Sequence, residues 1–124
     1  MAQELKYSKS HEWIEFLEEN KVRIGLTEYA VEELGDLVFI DLPEVDDEVD
    51  VEESFADVES VKAVSDVFSP VTGVITAVNE DLLNHPELVN ESPLEAWLIE
   101  VGEITDFEAL LTKEEYDELI REEA

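Results

Sequence analysis

Short runs of alternating apolar and polar residues recur along this chain, and they limit it to a mostly β fold. Trp13–Glu18 (WIEFLE) and Lys21–Leu26 (KVRIGL) read as the strands of a hairpin, with Glu19 and Asn20 between them and Asn20 in the turn. Leu37–Leu42 (LVFIDL) is a continuous apolar run stopped by Pro43, the pattern of a strand covered on both faces. Phe55–Phe68 reads as a second hairpin, Ser69–Gly73 (SPVTG) as a turn, and Val74–Val78 and Ala96–Val101 as further strands. Helical signals are brief. Thr27 suits an N-cap ahead of a face made by Tyr29, Ala30, Val31 and Leu34, and Gly35 suits the stop. Asn79–Ser92 is irregular or briefly helical. The end of the chain reads as helical: Thr105–Glu108 (TDFE) and Thr112–Glu115 (TKEE) both match the capping-box pattern, and Tyr116, Leu119 and Ile120 follow at helical spacing.

The 124 residues suit one domain with its own core, and a hydrophobic fraction of 44% argues against a disordered acidic tail. Asp and Glu number 35 against 7 Lys and Arg, a formal charge of −28. Such a field repels nucleic acid and anionic membranes, whose binding depends on Lys and Arg, and it favours basic partners. It would also suit a salt-rich cytosol, where screening shortens charge–charge repulsion. Glu44–Glu53 (EVDDEVDVEE) holds seven acids in ten residues but lacks the glycine-centred spacing of a calcium loop, so it reads as a solvated turn and a strand carried by Val45, Val49 and Val51. No cysteine is present, which excludes disulfides, thiol nucleophiles and Cys-based zinc sites. His11 and His85 have no partner at ligand spacing, no G-x-S-x-G elbow occurs and no Gly-rich phosphate loop is present. No metal and no catalytic residue are expected. The first residues lack an apolar leader, and no window approaches the ~18 apolar residues of a membrane span, so the expected location is cytoplasmic.

Between Ile24 and Thr112, Lys62 is the only Lys or Arg. It stands in Val58–Val67 (VESVKAVSDV), flanked by small and β-branched residues that suit two strands meeting at a tight turn. An exposed lysine at a loop tip is ordinary by itself. This one is set apart by the near-absence of other cations and by neighbours small enough for another protein to grip the hairpin.

The segment Glu59–Ala63 (ESVKA) resembles the lipoyl-attachment motif of the H protein family of the glycine cleavage system. Further blocks carry the resemblance along nearly the whole chain: Tyr7–Trp13 (YSKSHEW), Ile24–Ala30 (IGLTEYA), Leu34–Pro43 (LGDLVFIDLP), Ser69–Gly73, Val78-Asn79, Pro86–Asn90 (PELVN), Pro93 and Trp97. One departure is Leu94-Glu95-Ala96, where the family usually has a glycine. The resemblance implies a barrel-sandwich hybrid of the lipoyl/biotinyl-carrier kind, with short helices including one at the C-terminus, as a single domain over residues 1–124. It implies lipoic acid in amide linkage to Lys62, with Glu59, Ser60, Val61 and Ala63 as the modification motif. It implies a non-catalytic carrier that takes the aminomethyl group of glycine from glycine decarboxylase (P protein) to the aminomethyltransferase (T protein). Dihydrolipoamide dehydrogenase (L protein) would reoxidise the arm, and a lipoate-attaching enzyme would load it. Groups matching Ser10, Glu12 and Asp66 would line an acidic cleft for the aminomethyl-bearing arm.

Three other readings stay open at this point. A lipoate relay to 2-oxoacid dehydrogenases would need the same modified Lys62. A biotin carrier would normally set its lysine between methionines, where this chain has Val61 and Ala63. An unmodified acidic interaction protein would need no chemistry at Lys62. Trp13 and Trp97 lie in strand patterns and are expected in the core.

Overall fold

The computed structural model describes residues 5–17 and 20–123. Alternation gives each strand one apolar face, and two sheets close those faces on each other. The larger sheet contains β1 (Leu5–Tyr7), β2 (Glu12–Leu17), β3 (Lys21–Leu26), β5 (Glu48–Val49), β8 (Val71–Val78) and β9 (Ile99–Phe107), in the order β1-β2-β3-β9-β8-β5. The smaller contains β4 (Leu37–Asp41), β6 (Ser54–Ser60) and β7 (Val64–Phe68), in the order β4-β6-β7. All described pairings are antiparallel, and no sheet closes into a barrel among the described residues. Between the sheets lie Ile14, Ile24, Ile40, Val58, Ile75 and Ile99, all essentially inaccessible to water. Each such side chain contributes about 1.5–3 kcal/mol by leaving water.

The helices are α1 (Glu28–Leu34), α2 (Asp81–Asn84), α3 (Glu87–Glu91) and α4 (Lys113–Glu123). Thr27 caps α1 by accepting from the Ala30 N–H, and Gly35 ends it at φ +83° with its N–H on the Val31 carbonyl. Asn20 turns the first hairpin at φ +59°; Glu19 lies outside the described residues. The capping box at Thr112 forms reciprocally: Thr112 N–H donates to Glu115 Oε1 at 2.9 Å, and Glu115 N–H donates to Thr112 Oγ1 at 3.2 Å. A second buried cluster then fixes α4 to the larger sheet, with Tyr116 stacked on Tyr7 at 4.8 Å beside Trp13.

Several expectations fail, each because pairing or packing overrides a local signal. The matching capping box at Thr105–Glu108 starts no helix: Thr105 and Phe107 continue β9, where Phe107 pairs with Val71 and Asp106 with Thr72. Nor is β4 covered on both faces, since Val38 and Phe39 are 52% and 51% exposed. Within the acidic run only Glu48–Val49 forms a strand; Asp46 and Glu52 adopt positive φ and Val45 is exposed. The strand expected from Ala96 begins at Ile99, so Trp97 lies outside it, half-buried under the Arg23 guanidinium at 5.0 Å. The turn at Ser69–Gly73 is confined to its first two residues.

Gly73 is therefore a strand residue paired with Val49, and close approach rather than a left-handed backbone requires it. A Cβ there would stand 2.5 Å from the Gly102 carbonyl oxygen and 2.8 Å from a Val101 methyl. Gly73→Ala should lower stability by about 1–3 kcal/mol through overpacking. An unchanged urea midpoint would show that β8 and β9 can spread to admit a methyl group.

Candidate functional site

Strands β6 and β7 pair from Ser54↔Phe68 to Glu59↔Val64, which leaves Val61, Lys62 and Ala63 as the tip of a hairpin. Ser60 builds that tip. Its hydroxyl accepts from the Lys62 N–H at 3.3 Å and the Ala63 N–H at 3.0 Å, and donates to the Ala63 carbonyl at 3.2 Å. Its own N–H also reaches the Ala63 carbonyl, at 2.7 Å. A small hydroxyl residue so placed satisfies backbone groups that the ladder no longer serves. Glu59 faces solvent between Phe39 and Val64 on the neighbouring strands. Val38, Phe39, Val61 and Val64 leave a largely apolar surround about an exposed Lys62. The lysine stem passes over Gly35, close enough that a Cβ there would lie 3.6 Å from Lys62 Cε.

The same hairpin forms one wall of a cleft of about 250 Å³. Ser10, Glu12 and Asp66 all line it, so the fold brings Asp66 to a pair of residues more than fifty positions earlier in the chain. Val58 and Val67 supply its apolar wall, and His11, Tyr29 and Glu33 its opposite side. Glu12 is 1% exposed, while Ser10 and Asp66 face solvent. Glu12 Oε1 accepts from Ser8 Oγ at 2.5 Å and from Ser10 Oγ at 2.6 Å. Burial pushes its carboxyl up to about 7, against the pull of hydrogen bonds from Ser10, Ser8 and the Phe68 backbone. The neighbouring strands add to the negative field. Asp57 lies across from both Asp41 and Asp66, and its carboxyl is raised by burial and then by those two charges.

His11 clasps the C-terminal helix. At φ +72°, its Nδ1 lies 2.8 Å from the Tyr116 hydroxyl and its Nε2 3.1 Å from Glu123. The Tyr116 hydroxyl also meets Thr27 Oγ1 at 2.6 Å, and burial raises it to about 12, so it stays protonated. Among the described residues no group of His, Asp and Glu is placed to hold a metal ion. None of the described helices is long and apolar enough to cross a membrane.

Residues 5–123 match the sequence model of the family described as Glycine cleavage H-protein. A glycine cleavage system H protein of Lachnoclostridium phytofermentans is 51% identical over 123 residues, covering 99% of this chain and 97% of its own. One from Halalkalibacterium halodurans is 52% identical over 126 residues, covering 99% and 98%. This chain belongs to the glycine cleavage H-protein family. The crystal structure of a glycine cleavage system H protein from Mycobacterium marinum superposes with a TM-score of 0.90 at 38% identity, covering 98% of this chain and 99% of the other. As a member of the H-protein family the chain is a lipoyl carrier, a subunit of the glycine cleavage system.

Sequence reasoning missed Ser8, His11 and Tyr116 as parts of this region. Ser8 is fully buried against Glu12, and nothing in YSKSHEW distinguishes it from Ser10. Tyr116 arrives from 105 residues away and could be found only by docking α4.

The raised carboxyl of Glu12 sets a sign for stability. A carboxyl whose folded value exceeds its unfolded one contributes stability that is complete below about 4.5 and lost as pH rises through about 7. Relative to Glu12→Gln, the native chain should therefore lose about 2 kcal/mol of unfolding free energy between pH 5 and pH 8. Parallel denaturation curves for the two proteins across that range would show Glu12 ionising freely.

Proposed function

We propose that Lys62 bears the lipoyl group, in amide linkage through Nζ, and that Ser10, Glu12 and Asp66 receive the cationic amine brought on the loaded arm. The observation that carries this reading is Lys62 alone at an exposed, hydroxyl-braced hairpin tip whose own strands wall an acidic cleft. Lysine is required because its flexible stem ends in an amine that can be acylated, which a guanidinium does not replace. The stem lies over Gly35, whose positive φ favours glycine, and the exposed side chains of Val38, Phe39, Val61 and Val64 give a loading enzyme apolar surface to cover. Glu59, Ser60, Val61 and Ala63 form the rest of the modification motif: Ser60 shapes the turn, Glu59 marks its acidic flank, and Val61 and Ala63 keep it narrow.

When attached, a dithiolane would supply the sulfur chemistry that this cysteine-free chain lacks. The chain's own residues do the holding. A cationic amine in the cleft would find the Glu12 carboxylate and the outer carboxylate of Asp66, with the Ser10 hydroxyl already donating to Glu12. Since free Glu12 is half-protonated near pH 7, amine entry would release a proton from it. Val58 and Val67 limit water on the other side.

The specific partners that follow are glycine decarboxylase, the aminomethyltransferase, dihydrolipoamide dehydrogenase and a lipoate-attaching enzyme. The chain contributes carriage rather than catalysis, as one carrier domain over residues 1–124 working in the cytoplasm.

The deciding experiment is the intact mass of the protein from cells supplied with lipoate, followed by peptide mapping. A lipoyl increment confined to Lys62 supports the reading; an unmodified chain beside a modified control lipoyl domain would overturn it. Lys62→Arg should fold with an unchanged midpoint and give no glycine turnover when reconstituted with the three enzymes. Turnover by that variant would sink the assignment, and a lipoylated native chain without turnover would point to lipoate relay instead.

A further inference from the structure

Asn90 is the last residue of PELVN, and its side-chain amide makes two hydrogen bonds to the backbone ahead of β4. It projects from α3 to the two-residue connection between α1 and β4. Asn90 Oδ1 accepts from the Leu37 N–H at 2.9 Å, and Asn90 Nδ2 donates to the Gly35 carbonyl at 2.9 Å. One amide therefore grips the backbone on both sides of Asp36. The Asp36 carbonyl, held between these two grips, accepts from the Val61 N–H at 3.1 Å. Val61 directly precedes Lys62.

We propose that Asn90 is a positioning residue for Lys62, holding the Gly35–Asp36 connection so that the hairpin tip is presented in one place to the enzyme that acylates it. This rests on Lys62 being the attachment site. Acylation joins Lys62 Nζ to the carbonyl carbon of an activated lipoyl donor, breaks the bond from that carbon to its leaving group, and releases one proton from the nitrogen. The attacking nitrogen sits at the end of a stem with four rotatable carbons, so the enzyme can align it only if the backbone beneath is fixed. The Ser60 hydroxyl closes the tip upon itself but ties it to nothing beyond the hairpin. Val61 N–H on Asp36 O supplies a tie to the body, and Asn90 makes that acceptor rigid. The ends of the connection are also held, Gly35 by its N–H on the Val31 carbonyl and Leu37 by its pairing with Ser60, but Asn90 is the side chain that bonds the backbone on both sides of Asp36. Val89 is fully buried and anchors α3, which aims Asn90 at the connection.

The test compares Asn90→Ala with Asn79→Ala. Asn79 makes a similar side-chain bond, Nδ2–H to the Trp97 carbonyl at 2.9 Å, in a different part of the chain. Three quantities are read on folded full-length protein: kcat/KM for lipoylation by a lipoate-attaching enzyme, acetylation of Lys62 by a small reagent such as acetic anhydride, and amide exchange at Val61. Asn90→Ala should lower enzymatic kcat/KM about tenfold or more and speed Val61 exchange, while chemical acetylation stays at the native rate. Asn79→Ala should leave all three unchanged apart from any loss of stability. If Asn90→Ala does not fold, Asn90→Asp keeps the acceptor for Leu37, loses the donor to Gly35, and should show the same pattern. Native lipoylation kinetics in a folded Asn90 variant would overturn the inference, as would equal losses in the Asn90 and Asn79 variants. A native protein modified elsewhere than Lys62 would instead refute the attachment site, and that outcome is visible before any variant is made.

Discussion

Burial of apolar side chains between two sheets must outweigh the mutual repulsion of a chain carrying −28 formal charges, and every other feature depends on that balance. The interior is accordingly built of branched aliphatics with almost no polar interruption. Charge is pushed to the outer strand faces, the connections and the exposed side of α4. Glu12 is the notable exception. A nearly inaccessible carboxylate in such a field is expensive, and two serine hydroxyls with a backbone N–H offset only part of that cost. A group pushed so far from its ordinary titration range marks this cleft as the candidate functional site.

The carrier hairpin combines rigidity and reach in separate parts. Rigidity lies in the backbone: the β6–β7 ladder, the Ser60 hydroxyl inside the turn, and the Asp36 carbonyl outside it. Reach lies in the Lys62 side chain and whatever it bears. Because the same strands continue from the tip into the cleft wall, a single hairpin sets both the position of Lys62 and one side of the cleft. The opposite side comes from the His11 segment and α1, with α4 clasped to it through Tyr116 and Glu123.

Much of this was legible in the chain. Period-two patterning gave the first hairpin, Thr27 and Gly35 bounded α1, and the Thr112 box began α4. The failures share a cause: local signals are indifferent to which neighbour a segment will meet. TDFE at 105–108 and TKEE at 112–115 are equivalent as capping boxes. Only the first has β8 beside it, and the Glu108 N–H that a Thr105 cap would take donates instead to the Pro70 carbonyl at 2.8 Å. Likewise LVFIDL is apolar but for Asp41, yet Val38 and Phe39 both stay exposed, because the pairing with β6 shifts register between Leu37 and Phe39 and turns two successive side chains outward.

The sequence by itself determined the strand content, the absence of cysteine chemistry and the singular position of Lys62, since these depend on residue type and on neighbours within a turn or a strand. The tertiary structure alone decided that Ser10 and Glu12 should share a cleft with Asp66, that Tyr116 should cross the chain to His11, and that Asn90 should bond the connection ahead of β4. Those contacts join residues separated by tens of positions. Their geometry arises from how two sheets and four helices pack, and no local pattern encodes it.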